Sequence, residues 1–595
     1  MLTPESIRGP EAIRAASLEE LEDFAGRVRR FLIDSTARTG GHIGANLGTV
    51  ELSIALHHVF ESPQDRILWD TGHQGYTHKI ITGRADRFPT LDSRGGMNRF
   101  VTRSESEHDA IEASHAGTSI SIALGVALAN RIQHRPRSTI AVIGDGSLAE
   151  GLALEALNHA AVEHDAGLVL VLNDNGYAIS PGFGALHEYL QSLTPDESED
   201  GLLGSRMPEL LFSSLGLDYH GPVDGHDLGQ LIDVLHLSRR SQRVPLIHVK
   251  TRKGEGYPPA DGHPLRLHFS FPFDRETGKP APRPGPPPYQ DTAARVIAEE
   301  MEEDRRIVAI TPSTLYATGL QPVFEKYPER CFDPGMAEQH AMSLTVGLAL
   351  QGLKPVVFYQ STFMQRAFDQ LIHDVCFMDL PTLILTVRTG FAGYDNPTHH
   401  GIYDFAFQRG LPNLRTLYPK DVYELERMVR DGLRTLAHPT LIAMPYGPGD
   451  AFDPGVLDES PEQFSRPQVV QPAKDLLLLA VGHKFSAAHE ACERLRAEGV
   501  DSGLVNLRQL KPLPEPALEE ILSGCRRVAV IEEGVVDGGV GAAIAAFVSD
   551  RELDCRVLRI GLPCAFIEPG SNEDLCRAYR LDADGIVARI QERWP

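Results

Sequence analysis

An aspartate and an asparagine stand at the ends of two consecutive predicted strands in the first third of the chain. Asp145 lies in Ile-Gly-Asp-Gly-Ser after the apolar run 139–143, and Asn175 ends Asn-Asp-Asn after the apolar run 168–172. In a parallel α/β sheet both loops leave the carboxyl edge, where ligands bind. Carboxylate and amide oxygens there can hold a hard divalent cation, which can hold a diphosphate that the backbone approaches at Gly146. Gly-Asp-Gly alone is also an ordinary strand-to-turn sequence, so the prediction depends on both segments.

Three histidines in the same part of the chain lie beside glycines or at predicted element ends. His42, in Gly-Gly-His-Ile-Gly, precedes a predicted helix over 49–59, and His73 follows a predicted strand over 67–69. His115, in Ser-His-Ala, opens another predicted helix, whose free backbone N–H groups suit an anionic ligand. One such histidine alone is usually a polar surface residue. Three of them favour a site that donates hydrogen bonds to phosphate or carboxylate and carries protons near neutral pH.

The middle of the chain adds further ionisable groups. Glu338 directly precedes an apolar predicted helix over 341–350; alone, it reads as an acid favoured by the helix dipole. Arg388 follows a predicted strand, where an arginine binds carboxylate or phosphate in a bidentate way. Asp395 and His399 lie on a turn-rich loop and can form an acid–base pair, with surface salt bridging as the alternative.

The surrounding pattern predicts three consecutive doubly wound α/β domains. Short β-branched runs alternate with longer amphipathic segments throughout the chain, which is typical of parallel sheets. A proline-dense linker over 278–288 and a Gly/Pro/acid-rich linker over 447–472 divide the chain. The predicted domains are 1–277, 289–446 and 473–595. Predicted strands in the last two are 307–310, 355–358, 382–387, 440–443, 476–480, 528–531 and 556–560.

Composition is that of a large enzyme and excludes several classes of partner. The 595 residues are 42% hydrophobic and 23% charged, with a net charge of −24, which argues against nucleic acid or an anionic membrane as partner. There is no apolar run long enough to span a membrane and no secretory signal at the start. Seven cysteines without a Cys-x-x-Cys pair predict reduced thiols in the cytoplasm.

These segments together resemble the 1-deoxy-D-xylulose-5-phosphate synthase family of the transketolase superfamily over nearly the whole chain. The segments that carry the resemblance are GGHIGANLGTVELSIALHHVFESPQDRILWDTGHQGYTHK (40–79), SHAGTSIS (114–121), GPVDGHDL (221–228), TRKGEGY (251–257), MAEQHA (336–341), STFMQRAFDQLIHDV (361–375) and GLPCAFIEPGS (561–571). The resemblance implies a diphosphate-binding, a pyrimidine-binding and a C-terminal domain. It also implies thiamine diphosphate and Mg²⁺ as cofactors, and a homodimer.

The resemblance also assigns site residues. Glu338 would place its carboxyl group against N1′ of the cofactor's pyrimidine. Implied cofactor contacts are His73, Ser114, His115, Ala116, Gly146, Ser147, Asn175, Tyr257 and Glu338. Implied metal ligands are Asp145, Asn175 and the main chain of Tyr177. Implied residues of the reaction pocket are His42, His268, Arg366, Arg388, Asp395 and His399.

The implied reaction is decarboxylation of pyruvate and carboligation to D-glyceraldehyde 3-phosphate, which feeds isoprenoid, thiamine and pyridoxal synthesis. Three departures from the family pattern matter, and the first two fall where the family binds the phosphate of the aldehyde acceptor. Gln360 replaces a usual tyrosine, Tyr446 stands in the place of a cation, and the segment 184–216 is shorter than usual. One alternative is therefore a related carboligase in a specialised pathway that uses another, unphosphorylated aldehyde. A catalytically idle paralogue is a third possibility, against which the retained Glu338 and Asp145 argue.

Overall fold

The computed structural model describes residues 1–193, 210–282, 285–449 and 464–595. Parts of the short segment 184–216 and of the second predicted linker therefore lie outside the described residues. The chain divides into two compact units, one made of 1–283 with 335–337 and the other of 284–334 with 338–595. Each unit is described by itself.

The first unit is built on a five-stranded parallel sheet in the order β1-β2-β3-β5-β4. Its strands are β1 (Arg66–Trp69), β2 (Thr139–Gly144), β3 (Leu168–Asp174), β4 (Asp218–Asp224) and β5 (Pro245–Lys250). The residues of β2 and β3 are almost all buried, because helices cover both faces of such sheets and the strands read as continuous apolar runs. Gly144 pairs with Asn173 in the register of β2 and β3. The two predicted ligand loops therefore leave adjacent strands at the same edge.

The first unit contains the helix predicted over 49–59, which begins one residue later, at Val50. Its helices are α1 (Glu11–Arg14), α2 (Leu18–Thr39), α3 (Ile43–Gly48), α4 (Val50–Val59), α5 (Tyr76–Ile81), α6 (Ser119–Ile132), α7 (Asp145–Leu148), α8 (Gly151–Ala160), α9 (Ala185–Ser192), α10 (Leu210–Ser214) and α11 (Leu228–Ser238). Ser17 begins α2 with a capping box, in which its side chain accepts the N–H of Glu20 and Glu20 reaches back. In the described part of the chain, no helix has the length and apolar character that crossing a bilayer requires.

The second unit contains two sheets. Its strands are β6 (Ile307–Ile310), β7 (Cys331–Phe332), β8 (Lys354–Gln360), β9 (Leu383–Val387), β10 (Arg415–Leu417), β11 (Thr440–Ala443), β12 (Gln468–Gln471), β13 (Leu476–Val481), β14 (Ser502–Leu507), β15 (Gln509–Lys511), β16 (Arg527–Val535) and β17 (Arg556–Leu562). The sheet orders are β15-β10-β11-β9-β8-β6-β7 and β12-β14-β13-β16-β17. Every strand predicted from sequence in this half is present. The α/β fold class is confirmed.

Two edge strands run antiparallel to their neighbours, which the predicted all-parallel pattern did not include. β15 pairs antiparallel with β10, so a short piece of the C-terminal part of the chain completes the middle sheet. β12 pairs antiparallel with β14 and falls inside the predicted second linker. Val469 and Val470 on this strand are 44% and 41% exposed. A short, exposed edge strand lacks the buried apolar face on which strand prediction depends.

Helices cover these two sheets. They are α12 (Tyr289–Glu303), α13 (Gln321–Lys326), α14 (Glu338–Leu350), α15 (Ser361–Met364), α16 (Phe368–Gln370), α17 (Asp404–Gln408), α18 (Val422–Arg434), α19 (Phe485–Ala497), α20 (Glu515–Ser523), α21 (Val540–Asp550), α22 (Asn572–Ala578) and α23 (Ala583–Arg593). One turn of π-helix over Leu371–Cys376 follows α16. One apolar core includes residues from both sheets, such as Val357 of β8 and Val530 of β16.

Candidate active site

Asp145 is the first residue of α7 and lies at the carboxyl end of β2. Its carboxylate is buried and accepts the backbone N–H of Asn175. Its Oδ1 has no hydrogen-bond partner among the described residues. Burial, with the nearby charge of Asp174, raises the pKa of Asp145 to about 7. A buried carboxylate of this kind is stabilised in its charged form by a cation, and its oxygen suits Mg²⁺.

The three residues of Asn-Asp-Asn have different roles. Asn173 donates to Gln74 Oε1 at 2.8 Å and accepts the Thr251 hydroxyl at 2.5 Å, so it ties three loops together. Asp174 is paired with His248 at 2.8 Å and with Lys250 at 2.6 Å. Asn175 begins the loop itself. These contacts make the first two residues structural and leave Asn175 as the candidate metal ligand.

The loop after Asn175 turns tightly towards the loop of Asp145. The side-chain Oδ1 of Asn175 accepts the N–H of Tyr177 at 3.1 Å. A Cβ atom added at Gly146 would lie 2.7 Å from the Cβ of Ala178. Glycine is thus required at 146 for close packing of the two loops, a reason that the sequence did not reveal. Its predicted contact with a diphosphate stays a prediction.

Lys253 is a candidate functional residue that the sequence analysis did not single out. It is buried, donates to the carbonyl oxygen of Ala178 at 3.0 Å, and lies 5.3 Å from the ring centroid of Tyr177. Burial lowers the pKa of Lys253 to about 7, against the opposing effect of the Asp145 charge. A buried ammonium beside a candidate cation site suits an anion such as a diphosphate. Lys253 lies in the segment Thr-Arg-Lys-Gly, which contributes to the family resemblance. The sequence could not show that the Lys253 side chain is buried.

The three candidate pocket histidines of the first unit form one cluster. The ring of His42 lies 5.3 Å from the rings of both His73 and His268, and the latter two are 5.2 Å apart. Asn46, buried in α3, donates to the carbonyl oxygens of His42 and His73 at 2.8 and 2.7 Å. It also accepts the N–H of Tyr76 at 2.7 Å. Asn46 therefore positions two predicted histidine loops relative to each other.

Two of these histidines, His73 and His268, are held in their neutral forms at physiological pH. Burial lowers the pKa of His73 to about 3 and that of His268 well below its ordinary value, and the Lys253 charge adds to both effects. Nδ1 of His73 and Nδ1 of His268 have no hydrogen-bond partner among the described residues. The rings are suited to hydrogen bonding with a ligand. The predicted proton transfer near neutral pH requires a ligand that raises these pKa values.

The prediction of an open helix N-terminus at Ser114 is wrong. Helix α6 begins five residues later, at Ser119. The backbone N–H groups of Gly117 and Ser119 donate to the two carboxylate oxygens of Asp70 at 2.9 and 3.1 Å. Since Asp70 satisfies them, they are not free for an anionic ligand. Cofactor contacts by the side chain of Ser114 and by His115 stay predictions.

Tyr257 is held by the protein's own backbone. Its hydroxyl donates to the carbonyl oxygen of Arg275 at 2.7 Å, and its ring lies 6.2 Å from that of Phe273. The hydroxyl therefore stabilises the segment that leads to the proline linker. The predicted contact of Tyr257 with the cofactor stays a prediction.

In the second unit, Glu338 is the first residue of α14 and is buried. Its backbone carbonyl accepts the Tyr359 hydroxyl at 3.0 Å, and its Oε2 has no hydrogen-bond partner among the described residues. Burial raises the pKa of Glu338 to about 7. A helix dipole acting on an exposed acid would lower the pKa instead. The helix dipole alone therefore does not account for Glu338. Burial favours the protonated form of its carboxyl group, and its Oε2 can reach a ligand nitrogen.

A second group of predicted residues gathers around Arg388. The Arg388 guanidinium pairs with Asp395 Oδ2, and its carbon lies 4.8 Å from the ring centroid of Tyr446. His399 Nδ1 is 3.8 Å from Asp395 Oδ1. The closer partner of Asp395 is thus Arg388, not the histidine of the predicted acid–base pair. Arg366 lies half-buried in a short helical turn over Gln365–Ala367.

Comparison with known proteins identifies the family. A family model described as 1-deoxy-D-xylulose-5-phosphate synthase matches residues 5–202 and 196–251. The transketolase pyrimidine-binding domain matches 286–447, and the transketolase C-terminal domain matches 466–586. The 1-deoxy-D-xylulose-5-phosphate synthase of Thioalkalivibrio sulfidiphilus is 41% identical, with 99% of this chain and 94% of the relative covered. The chain belongs to the 1-deoxy-D-xylulose-5-phosphate synthase family.

A further relative and a solved structure extend the comparison. The synthase of that name from Syntrophotalea carbinolica is 39% identical over 98% of this chain and 97% of its own. A solved transketolase from Campylobacter jejuni aligns with 97% of this chain and all of its own, at 16% identity and a TM-score of 0.45. The family models and the relatives confirm the resemblance seen in the sequence. The protein is a thiamine-diphosphate-dependent transferase with three transketolase-type domains.

Proposed function

We propose that this protein decarboxylates pyruvate and joins the remaining two-carbon unit to D-glyceraldehyde 3-phosphate. The products are 1-deoxy-D-xylulose 5-phosphate and CO₂. Full-length relatives that carry the synthase name support this proposal. The structural observation that carries it is Glu338, a buried carboxyl with a raised pKa and an oxygen without a partner among the described residues.

The buried polar atoms fit the cofactor and its cation. Asp145, Asn175 and the carbonyl oxygen of Tyr177 form an all-oxygen donor set of the kind that Mg²⁺ prefers, and the unpartnered Oδ1 of Asp145 supports the assignment. Lys253 would neutralise a diphosphate nearby. When bound, thiamine diphosphate supplies a nucleophilic carbon and an electron sink for the decarboxylation of a 2-oxo acid.

The protein's own groups position the reactants. Glu338 would share its proton with the pyrimidine nitrogen. The cluster of buried His42 with half-buried His73 and His268 would donate hydrogen bonds to the substrate carboxylate and exclude water. Further cofactor contacts proposed from the resemblance are Ser114, His115, Ala116, Gly146, Ser147 and Tyr257.

The group around Arg388 would handle the aldehyde acceptor. Arg388 offers a charged donor for a phosphate. His399 and Asp395 would hold or move the proton of the aldehyde oxygen as the new carbon–carbon bond forms. Arg366, half-buried after β8, is a further candidate for substrate contact.

Magnesium, a homodimeric assembly and a cytoplasmic location are part of the same proposal. The dimer is expected from the family resemblance. A cytoplasmic location is supported by seven cysteines that are all free thiols, five of them buried. The product's place at the start of isoprenoid and thiamine synthesis follows from the same resemblance.

The full-length matches favour the synthase over a related carboligase with another acceptor and over an idle paralogue. The deciding experiment compares acceptors with purified protein, thiamine diphosphate, Mg²⁺ and saturating pyruvate. We expect kcat/KM for D-glyceraldehyde 3-phosphate to exceed that for unphosphorylated D-glyceraldehyde by at least about tenfold, the worth of one charge-assisted hydrogen bond. Equal or better use of the unphosphorylated aldehyde would support the related carboligase, and no product with either would support the idle paralogue.

A further inference from the structure

The segment 388–393, here named the acceptor loop, has a strained backbone. Arg388 has a φ of 70°, Gly390 of 87° and Gly393 of 75°, so three of its six residues are in the left-handed region. For a non-glycine residue such as Arg388 this conformation costs of the order of 1–3 kcal/mol and persists where surrounding structure holds it. The groups that hold this loop therefore determine where the Arg388 guanidinium lies.

Glu533, near the end of β16 in the C-terminal domain, contacts the loop directly. Its Oε1 accepts the backbone N–H of Phe391 at 2.7 Å. A Cβ atom added at Gly390 would lie 2.4 Å from the same oxygen. The backbone of the loop thus contacts the Glu533 carboxylate closely, and the absence of a side chain at Gly390 permits this approach.

The other oxygen of Glu533 connects the loop to a buried network. Oε2 is 2.6 Å from Lys484 Nζ and 3.0 Å from His483 Nε2, and these partners hold the pKa of Glu533 well below its usual range. His483 Nδ1 is 2.8 Å from the Tyr418 hydroxyl, which donates to the carbonyl oxygen of Thr389 at 3.4 Å. One network therefore holds the loop at the Thr389 carbonyl and again at the Phe391 N–H.

A second part of the C-terminal domain supports the far side of the loop. The N–H of Gly570 donates to the Gly393 carbonyl at 3.3 Å, and Asn572 Nδ2 donates to the Tyr446 carbonyl at 3.1 Å. His400 of the middle domain accepts the N–H of Ala392 with its Nδ1 at 2.9 Å, and its Nε2 lies 3.3 Å from the carbonyl oxygen of Glu568 in the C-terminal domain. The loop and the Tyr446 backbone beneath Arg388 are thus both held by this domain.

We propose that Glu533 is a positioning residue through which the C-terminal domain fixes the acceptor loop and, with it, the orientation of Arg388 towards the aldehyde acceptor. This rests on the proposed function of Arg388. Glu533 itself touches neither substrate nor cofactor. Its effect reaches the reaction through the backbone of Gly390 and Phe391.

The test compares Glu533→Gln with Glu532→Gln. Glu532 is the neighbouring residue on β16 and is equally buried, but its carboxylate accepts the N–H groups of Val540 and Gly541 at the start of α21. For Glu533→Gln we expect KM for D-glyceraldehyde 3-phosphate to rise between about tenfold and a hundredfold, as for a displaced substrate-binding group. KM for pyruvate should stay within about twofold of the wild-type value, by the same reasoning. Glu532→Gln should leave both constants close to wild type.

A milder variant tests the proposal if Glu533→Gln does not fold. Tyr418→Phe removes the hydroxyl that reaches Thr389 and His483 and keeps the ring against Phe405. It should raise KM for the aldehyde in the same direction, by a smaller factor, without a change in KM for pyruvate. An unchanged acceptor KM in Tyr418→Phe, or in a folded Glu533→Gln, would overturn the proposal. Equal losses for both substrates would do so too, since they indicate a merely structural role. A wild type without activity on this aldehyde would instead contradict the proposed function.

Discussion

The Arg388 guanidinium lies between an anion and an aromatic face, with Asp395 as its ion-pair partner and the Tyr446 ring 4.8 Å away. Its charge is therefore already shared before any substrate arrives. A phosphate bound here would have to compete with Asp395 for the same N–H groups. Tyr446 offers a cation–π contact and one neutral hydroxyl donor.

Tyr446→Arg should strengthen binding of the phosphorylated acceptor. A second guanidinium adds a charge-assisted hydrogen bond worth about 1.5–3 kcal/mol, or roughly a tenfold to hundredfold lower KM for D-glyceraldehyde 3-phosphate. Pyruvate decarboxylation should not change, because Tyr446 is placed with the acceptor residues. Steady-state kinetics with each substrate varied in turn measures both effects.

Tyr446→Phe is the matched control, since it keeps the ring over Arg388 and removes the hydroxyl. We expect a modest rise in the acceptor KM from this variant. If Tyr446→Arg left the acceptor KM unchanged, another group would hold the phosphate.

Asp145→Ala and Asn175→Ala should each weaken binding of thiamine diphosphate by at least about a hundredfold, because each would remove an oxygen ligand of the proposed bridging cation. Excess Mg²⁺ and cofactor should restore part of the activity. Calorimetric titration of the cofactor at fixed Mg²⁺ gives the affinity directly.

Asp174→Asn provides the control for that measurement. Asp174 is adjacent in sequence, but it is paired with His248 and Lys250. Its loss should lower the free energy of unfolding more than the cofactor affinity. Unchanged affinity in both Asp145→Ala and Asn175→Ala would contradict the cation site.

Glu338→Gln should abolish most turnover without unfolding the protein. Burial already favours the protonated form of this carboxyl, with a pKa of about 7, so glutamine is a close structural substitute. Loss of the shared proton should lower the rate of CO₂ release by about 10²- to 10⁴-fold. Glu338→Ala should behave in the same way, and thermal unfolding of both should stay near wild type. CO₂ release at the wild-type rate from either variant would refute the role of Glu338.

Asp404→Asn should change how stability depends on pH. Asp404 is buried and accepts the Ser361 hydroxyl at 2.5 Å and the Thr389 hydroxyl at 3.3 Å. Burial raises the pKa of Asp404 from 3.8 to about 7. A carboxyl group whose pKa is higher in the folded than in the unfolded protein stabilises the folded state. This contribution is complete below pH 3.8, the pKa in the unfolded protein, and is lost as pH rises to about 7, the pKa in the folded protein.

The asparagine side chain does not titrate, so the Asp404→Asn variant does not lose this stability as pH rises. Relative to wild type, the free energy of unfolding of Asp404→Asn should rise by about 2–4 kcal/mol between pH 4 and pH 7. Denaturant unfolding at intervals across this range measures the difference. A constant difference between the two proteins would show that Asp404 is ionised in the folded state throughout.

The sequence predicted the sheet edges and the loops of the candidate site well, because apolar β-branched runs and glycine-rich turns are local signals. The strands that end at Gly144, Asp174 and Val387 agree with the predicted runs to within two residues. The exposed edge strand Gln468–Gln471 was missed, because its pairing with Ser502–Leu507 depends on a partner distant in sequence.

Burial and partner choice could not be predicted from sequence. Lys253 becomes a candidate because it is enclosed. Asp70 removes the predicted anion site because its carboxylate oxygens accept the N–H groups at the start of α6. Glu533 lies far along the chain from Phe391, with which it shares a hydrogen bond. Such contacts arise from tertiary packing, which a local pattern does not encode.

The most direct test of the central claim follows one labelled carbon. Wild-type protein is incubated with thiamine diphosphate, Mg²⁺, D-glyceraldehyde 3-phosphate and pyruvate carrying carbon-13 at its keto carbon, and the products are read by NMR while CO₂ is measured. We predict that the label appears in the ketone carbon of 1-deoxy-D-xylulose 5-phosphate, with one CO₂ released for each ketose formed. Release of CO₂ without a labelled ketose phosphate, or no consumption of pyruvate, would contradict the account.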